Sequence, residues 1–251
     1  MAVEIGNRAS SGRRRKPSQV GAGRRQLSAK SGEELLQIMN GVAVRGRASD
    51  MKYRARYLEV LNAAAKLFSV KGYQAATTTH IAEELGIHQA SLYYYLKSKE
   101  QALEQICEIA IEGYVRFSQS IRKSRESAAE KLRKLIFMHL ITLEVRPNFF
   151  KVFQEDRKDL GVQARHSIGR QIRTYENNVE AIIRQGIRSG ALRGDLDPVH
   201  ATMALLSLCN SVAIWWHVRS DAPIRVVADE IADIFIKGTE AGRTAADKTD
   251  R

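Results

Sequence analysis

The sequence predicts an all-α fold, and two patterns lead to this prediction. From residue 54 onward, apolar side chains recur at steps of three and four, the period of a helix with one buried face. Nothing alternates apolar and polar residues for long enough to make a sheet. The 251 residues are enough for a full core and exceed one typical domain. We therefore expect helices throughout, in more than one unit.

Residues 1–50 form a basic segment with 10 basic and 4 acidic side chains. The first 30 are rich in Ser, Gly, Arg and Lys and hold too few apolar side chains to offset the entropy of folding. We expect the arm to be largely disordered. Ser31 and Glu34 have capping-box spacing, so a short helix is expected to begin at Ser31. Such an arm either adds phosphate contacts that weaken with salt or is a solvated tail, and both interpretations stay open.

The formal net charge of +12 is concentrated at the front of the chain. Residues 51–100 hold 7 basic and 4 acidic side chains, whereas residues 101–251 hold 23 and 20. This distribution favours a polyanionic partner for the first hundred residues. The alternative is that the charge only keeps the protein soluble.

Residues 51–100 are expected to form three helices around a tight turn. An amphipathic helix over residues 54–70 precedes a short helix that Thr77 can cap. Gly86 can adopt the positive φ that ends this helix, and a third helix is expected over residues 89–96. The result is a helix-turn-helix unit with its motif at 77–96.

The outward side chains of this motif suit the major groove of DNA, because they offer hydrogen-bonding groups and rings but no acid. We expect Gln89, Tyr93 and Thr79 to face base edges. Phosphate contacts are expected from Thr78, Ser91, Tyr94 and Lys99, with Ala90 also lying at the interface.

The stretch from Arg54 to Tyr114 resembles the tetracycline-repressor (TetR) family of bacterial transcription regulators. An ordered series carries the resemblance: Ala63-Ala64, Leu67-Phe68, Lys71-Gly72-Tyr73, Thr77-Thr78, Ile81-Ala82, Gly86-Ile87, Leu92-Tyr93-Tyr94-Tyr95 and Ser98-Lys99-Glu100. Three positions depart from the family pattern, namely His88, Ala90 and Leu96. The resemblance implies a ligand-responsive regulator, most often a repressor, on double-stranded operator DNA.

Residues 101–242 are expected to form a helical effector-binding and dimerisation domain, followed by a tail at 243–251. Ser98 should begin a rod that continues from the DNA-binding unit into this domain. Ser127 should begin a helix that stops at Pro147, with His139 on its apolar stripe as a core or pocket-edge histidine. A short apolar helix at 149–153 and a long one at 165–189, ended by Gly190, should follow.

The last two predicted helices begin at Asp197-Pro198 and after Pro223. They are apolar around more of their circumference than the outer helices of a monomer should be. The resemblance implies that they pair with their copies in a four-helix bundle, giving a homodimer that reads a near-palindromic operator. The alternative is that both helices are central to one core.

A weaker similarity to the acyl-coenzyme A-responsive regulators of fatty-acid and sterol breakdown covers residues 184–198 and 210–216. It implies a tunnel for an acyl thioester, whose phosphates arginines would bind. The alternatives are a different apolar ligand, or aromatic side chains that are only core. The expected pocket residues are Phe149, Phe153, Arg157, Arg170, Arg173, Met203, Leu206, Asn210 and Trp215.

Several functions lack any support in the sequence. The chain has no Gly-x-Ser-x-Gly elbow, phosphate-binding glycine loop, His-Glu-x-x-His pair or Cys-x-x-Cys. Cys107 and Cys209 lie in apolar helical patterns, so we expect structural thiols and neither metal nor cofactor. With no apolar run of about 18 residues and no secretory signal, we expect a cytoplasmic protein without a membrane partner. An architectural DNA-binding protein without effector and an undetected enzyme remain as alternatives.

Overall fold

The computed structural model describes residues 48–241, and within them every regular element is a helix. The basic arm up to residue 47, the short helix after Ser31 and the tail at 243–251 lie outside the described residues. The all-α prediction is confirmed. The helices are α1 (Ala48–Lys71), α2 (Thr78–Glu84), α3 (Gln89–Tyr93), α4 (Lys99–Lys123), α5 (Ala128–Leu140), α6 (Thr142–Val145), α7 (Pro147–Glu155), α8 (Val162–Arg188), α9 (Pro198–Arg219) and α10 (Ile224–Thr239).

Four helices begin at the capping residues that the sequence indicates. Thr77 accepts from the backbone N–H of His80, and Ser98 caps α4 in the same way. Ser127 and Glu130 form a complete capping box at the start of α5, and Asp197 accepts from the N–H of His200 at 2.8 Å. Each cap satisfies a helix N–H that would otherwise lack a bond, a contribution of about 1 kcal/mol.

Two predicted helices end earlier than expected. The helix from Ser127 stops at Leu140 rather than before Pro147, because the chain breaks at Ile141 into the separate short helix α6. The hydroxyl of Thr142 donates to the carbonyl of His139 at 2.6 Å, a local bond that competes with the helical pattern. Helix α3 ends at Tyr93, and the chain continues as a turn to Leu96, which is fully buried.

Helix α4 runs from the helix-turn-helix unit into the C-terminal domain, as expected from the sequence. It packs against α1 and, most extensively, against α8. Helix α7 also contacts both α1 and α4. The DNA-binding unit and the C-terminal domain are therefore held together by two helices, and their buried side chains form one continuous core.

The outer face of α9 is apolar and uncovered. Ile214 and Val218 are 80% and 77% exposed, and Ile234 on α10 is 62% exposed. No Lys, Arg, Asp or Glu occurs between Pro198 and Val218. Contrary to the sequence-based expectation, α9 is long and apolar enough to cross a membrane by length and composition, but core helices of soluble proteins pass the same test. Here it packs against α8, α5 and α10.

Both cysteines are buried in the core, Cys107 on α4 and Cys209 on α9. Burial raises the pKa of each thiol to about 12 because the thiolate would be poorly solvated. Neither is a reactive thiol in the folded chain, in agreement with the expectation of structural cysteines.

Candidate nucleic-acid interface and effector pocket

The turn between α2 and α3 brings three of the expected DNA contacts into one hydrogen-bonded group. Gly86 turns the chain with φ of 63°, which places the start of α3 beside the start of α2. The amide Nε2 of Gln89 lies 3.2 Å from Thr78 Oγ1 and 3.4 Å from the hydroxyl of Tyr93. Thr79, Ala90 and Ser91 are exposed on the same motif. These bonds orient the Gln89 amide before any base is bound.

A group of tyrosines packs around the end of α3. Tyr94 is exposed, and its ring edge meets Tyr95 and Tyr53 at centroid distances of 4.9 and 5.7 Å. Tyr53 also stacks on Tyr95 at 5.4 Å and on Tyr57 at 6.2 Å. The second turn of α1 is thus fixed to the residues that follow α3. Tyr53 is not among the residues expected from the sequence, although it precedes Tyr57 by four positions, the spacing that makes two side chains neighbours on a helix surface.

Lys99 has a different environment from the one expected of a phosphate contact. Its ammonium donates to the carbonyls of Tyr73, Gln74 and Ala76 at 3.1–3.3 Å and lies 4.6 Å from the centre of the Tyr73 ring. An ammonium has three donors, and all three are used inside the protein. Lys99 therefore ties the first turn of α4 to the loop before α2. Lys97, two residues earlier in the chain, is exposed.

A cavity of about 170 Å³ lies inside the C-terminal domain between α4, α5, α7, α8 and α9. Five of the expected pocket residues line it: Phe153, Arg157, Met203, Leu206 and Asn210. The further lining residues are Ile111, Tyr114, His139, Gln154, Ile172, Tyr175, Glu176 and Ser207.

The other expected pocket residues do not line this cavity. Phe149 lies one turn before Phe153 on α7 and faces the DNA-binding unit instead. Trp215 follows Asn210 by five positions, which rotates it about 140° around α9. Arg170 and Arg173 are exposed on α8, on either side of the lining residue Ile172.

Polar side chains line the part of the cavity around His139. Asn210 Oδ1 accepts from Gln154 at 2.8 Å and lies 3.2 Å from His139 Nε2. That nitrogen therefore carries the proton, and Nδ1 accepts from the hydroxyl of Tyr175 at 2.9 Å. Burial lowers the pKa of His139 from 6.5 to about 4, so the ring is neutral at pH 7. The expectation of a hydrogen-bonded core or pocket-edge histidine agrees with this geometry.

The mouth of the cavity is charged. The guanidinium of Arg157 lies 5.2 Å from the centre of the Phe153 ring, and Glu176 also lines the cavity. Partial burial raises the pKa of Glu176, and the charges of Arg173 and Arg157 oppose this rise. Arg173 is thus close enough to act on the mouth electrostatically although it does not line the cavity.

Comparison with known proteins assigns both parts of the chain. Residues 60–106 match the model for bacterial regulatory proteins of the tetR family, and residues 125–239 match a tetracyclin repressor-like C-terminal domain. The HTH-type transcriptional repressor KstR2 of Mycolicibacterium smegmatis is 30% identical over 146 residues, covering 55% of this chain and 68% of KstR2. The chain belongs to the TetR family. Members of the TetR family are DNA-binding regulators and not enzymes.

One further relative and one solved structure match most of the chain. The fatty acid metabolism regulator protein of Bacillus subtilis is 24% identical over 187 residues, covering 74% of this chain and 96% of the relative. The solved structure of FadR from Bacillus subtilis in complex with stearoyl-CoA superposes with a TM-score of 0.61 at 22% identity, covering 73% of this chain and 100% of that one. At that identity the likeness shows the TetR fold alone.

Helix α7 connects the two sites of this TetR regulator. On one side, Phe153 and Gln154 line the cavity. On another, Lys151 donates to the carbonyl of Ser69 at 2.7 Å, and the Ser69 hydroxyl donates to Asn148 at 2.9 Å. Ser69 lies near the end of α1, so α7 bonds directly to the DNA-binding unit. From the sequence only α4 was expected to make this connection, because tertiary hydrogen bonds leave no periodic pattern in a sequence.

Proposed function

We propose that this TetR regulator is a homodimeric repressor that acts in the cytoplasm and is released from a near-palindromic operator by an acyl-coenzyme A thioester. The observation that carries the proposal is the cavity, with apolar walls at Phe153, Met203 and Leu206, a polar floor and Arg157 at its mouth. Apolar walls suit an acyl chain, and an arginine suits a phosphate of coenzyme A. The names of the relatives, one a regulator of fatty acid metabolism, support the lipid side of the proposal.

The volume of the cavity restricts how such a ligand enters. At about 170 Å³ it is smaller than the roughly 300–1,000 Å³ of typical ligand sites. An acyl chain must therefore displace a wall. Met203 and Ser207 are lining residues that are exposed on α9, so we expect the ligand to enter on that side.

Dimerisation is inferred from the uncovered face of α9 and α10. Ile214, Val218 and Ile234 would expose a contiguous apolar patch in a monomer. A two-fold pairing of these helices covers the patch and presents two copies of α3 to one face of DNA. Half-sites one helical turn apart, about 34–36 Å, then require both recognition helices to enter the groove together.

Release would follow from the connection through α7 and α4. A ligand that moves Phe153 or Gln154 displaces α7, which is bonded to Ser69 on α1. Such a displacement changes the spacing of the paired recognition helices. A ligand shifts this equilibrium only by its difference in affinity for the two arrangements.

The test is the reciprocity of ligand and operator binding. The affinity for oleoyl-coenzyme A is measured with and without operator DNA, with coenzyme A alone as the unacylated control. A ligand that weakens operator binding about tenfold must itself bind about tenfold more weakly to the operator complex, a coupling of about 1.4 kcal/mol. Equal ligand affinity in both states rules out induction by that ligand and leaves a different apolar effector or none.

Two variants identify the site. Met203→Trp fills the cavity from an exposed position and should abolish the response to oleoyl-coenzyme A. Trp215→Ala changes a large side chain on the same helix that does not line the cavity, and it should leave the response intact. The reverse pattern would contradict the proposed site.

A further inference from the structure

Two amide side chains of the cavity are joined by only one hydrogen bond. Asn210 Oδ1 accepts from Gln154 Nε2 at 2.8 Å and lies 3.2 Å from His139 Nε2. Within residues 48–241, no hydrogen bond involves the other two amide atoms, Asn210 Nδ2 and Gln154 Oε1. Both side chains line the cavity and are half-buried, so these atoms can meet a ligand.

The amide pair offers a donor and an acceptor whichever way its amides are turned. In the arrangement given above, Asn210 Nδ2 is the free donor and Gln154 Oε1 is the free acceptor. Turning both amides over would exchange these roles between the two side chains, and His139 Nδ1 would then donate to the hydroxyl of Tyr175. An unused N–H and an unused C=O group remain in either arrangement.

The side chains bonded to the amide pair carry no charge. The ring of His139 is neutral at pH 7, and so is the phenol of Tyr175 that bonds to it. A charged ligand group would lose hydration next to the pair without gaining an opposite charge, whereas a neutral polar group loses much less. A hydroxyl fits best, because its one oxygen can accept from one amide and donate to the other.

The size of the cavity limits what can carry this hydroxyl. Its volume of about 170 Å³ is close to the roughly 150 Å³ of an engineered apolar cavity that binds benzene. Phe153, Met203 and Leu206 supply apolar walls. A body of about one ring therefore fits with little displacement of these walls, unlike a long acyl chain.

We propose that the effector carries a hydroxyl group on a compact apolar body, about the size of one ring, and that Asn210 and Gln154 bind this hydroxyl. The inference rests on the proposed function, because it takes the cavity as the effector site, and in a thioester the hydroxyl belongs to the acyl group. A ligand without this group leaves both amides desolvated and unpaired, which costs affinity. The amide pair therefore selects hydroxylated effectors over their apolar analogues.

The experiment measures binding of p-cresol to the full-length chain by calorimetry, with p-xylene as the matched ligand in which a methyl group replaces the hydroxyl. In a purely apolar site p-xylene binds more tightly, because it loses less hydration on entry. We expect the opposite order, with p-cresol bound about tenfold more tightly, because only its hydroxyl pairs with Asn210 and Gln154. No saturable binding of p-cresol, or p-xylene bound as tightly as p-cresol, would overturn the proposal.

A variant of Gln154 assigns the preference to the amide pair. Gln154→Met removes one of the two partners and keeps the length of the side chain, so the preference for p-cresol should fall at least about threefold. Gln163→Met makes the same change at an exposed position on α8 and should leave both affinities unchanged. A smaller fall in Gln154→Met would show that the hydroxyl binds elsewhere. Should that variant fail to fold, the two ligands still decide in the wild type.

Two further measurements separate this proposal from the thioester. Met203→Trp fills the cavity and should abolish binding of p-cresol, and binding that survives would overturn the site. Oleoyl-coenzyme A has no hydroxyl and reports on the thioester alone. If it fails the reciprocity test while p-cresol is preferred, the thioester is wrong and the hydroxyl site stands. If it passes while p-xylene binds as tightly as p-cresol, the thioester stands and the hydroxyl site is wrong.

Discussion

The charge state of His139 is set by its burial. Its ring is held neutral by the core, with a pKa of about 4 instead of 6.5. Between these two pH values the unfolded chain binds a proton that the folded chain does not. Stability should therefore fall as the pH drops from 6.5 towards 4, by about 3 kcal/mol at the lower end.

Denaturant unfolding at a series of pH values measures this loss. His139→Gln keeps polar atoms near Tyr175 and Asn210 and should flatten the dependence over that window. The exposed His166 provides the control, because His166→Gln should leave the dependence unchanged. A slope that survives in His139→Gln would assign the effect to other groups.

Lys99 and Lys97 are two residues apart and have opposite surroundings. Lys99→Met removes hydrogen bonds from a charged donor to Tyr73, Gln74 and Ala76. We expect the free energy of unfolding to fall by roughly 1–3 kcal/mol. Lys97→Met removes an exposed charge, so stability should stay within about 0.5 kcal/mol.

DNA binding distinguishes the two lysines further. Lys97→Met should weaken binding to all sequences and make the salt dependence shallower by about one unit of slope if Lys97 contacts a phosphate. A Lys99→Met variant of full stability with a shallower salt slope would instead restore the phosphate contact first expected of Lys99.

At the scale of elements, what the sequence could predict depends on how local the cause is. The starts of α2, α4, α5 and α9 depend on caps that act within three residues, and the capping residues were predicted correctly from the sequence. The break at Ile141 has no Gly or Pro to indicate it in the sequence, and the local bond from the Thr142 hydroxyl to the carbonyl of His139 is visible only in the structure.

The candidate sites show the same division. Phe153, Met203 and Leu206 follow from apolar periodicity, and the structure brings them to one cavity. Tyr114 and Tyr175, which surround His139, are far apart in the chain and look like ordinary core residues. Bonds between distant elements, such as those of Lys99, leave no pattern in a single sequence.

Helix α3 yields a prediction about sequence specificity. Gln89 is oriented by Thr78 and Tyr93, so its amide is prepared to meet a base edge. Gln89→Ala should cost roughly 1–3 kcal/mol in operator affinity and relax the preference at one position in each half-site. Binding to a set of single-base operator variants measures both quantities.

An exposed glutamine far from the motif serves as the control. Gln163→Ala on α8 should leave operator affinity and base preference unchanged. If Gln89→Ala behaves like Gln163→Ala, the register of the recognition helix proposed here is wrong.

At the scale of the whole molecule, the proposed dimer depends on the outer face of α9. Ile214→Asp places a charge in the centre of an apolar patch, and burying it against a partner would be strongly unfavourable. We expect this variant to sediment as a monomer and to lose high-affinity operator binding, since each chain then carries one recognition helix. Val162→Asp, at an exposed valine on α8, should remain dimeric. Dimers of Ile214→Asp would argue for another interface.

The reaction rates of the two buried thiols can report how often the helices that carry them separate from the core. A thiol reagent in solution reaches Cys107 only when α4 separates from its neighbours, and Cys209 only when α9 does, so each reaction rate measures a separate opening equilibrium. Burial raises the pKa of the Tyr114 and Tyr175 phenols, and Cys209 lies close enough to both rings to add to this rise; both rings line the cavity. A ligand in the cavity should therefore slow labelling of Cys209, and each single Cys→Ser variant assigns the remaining signal to one helix.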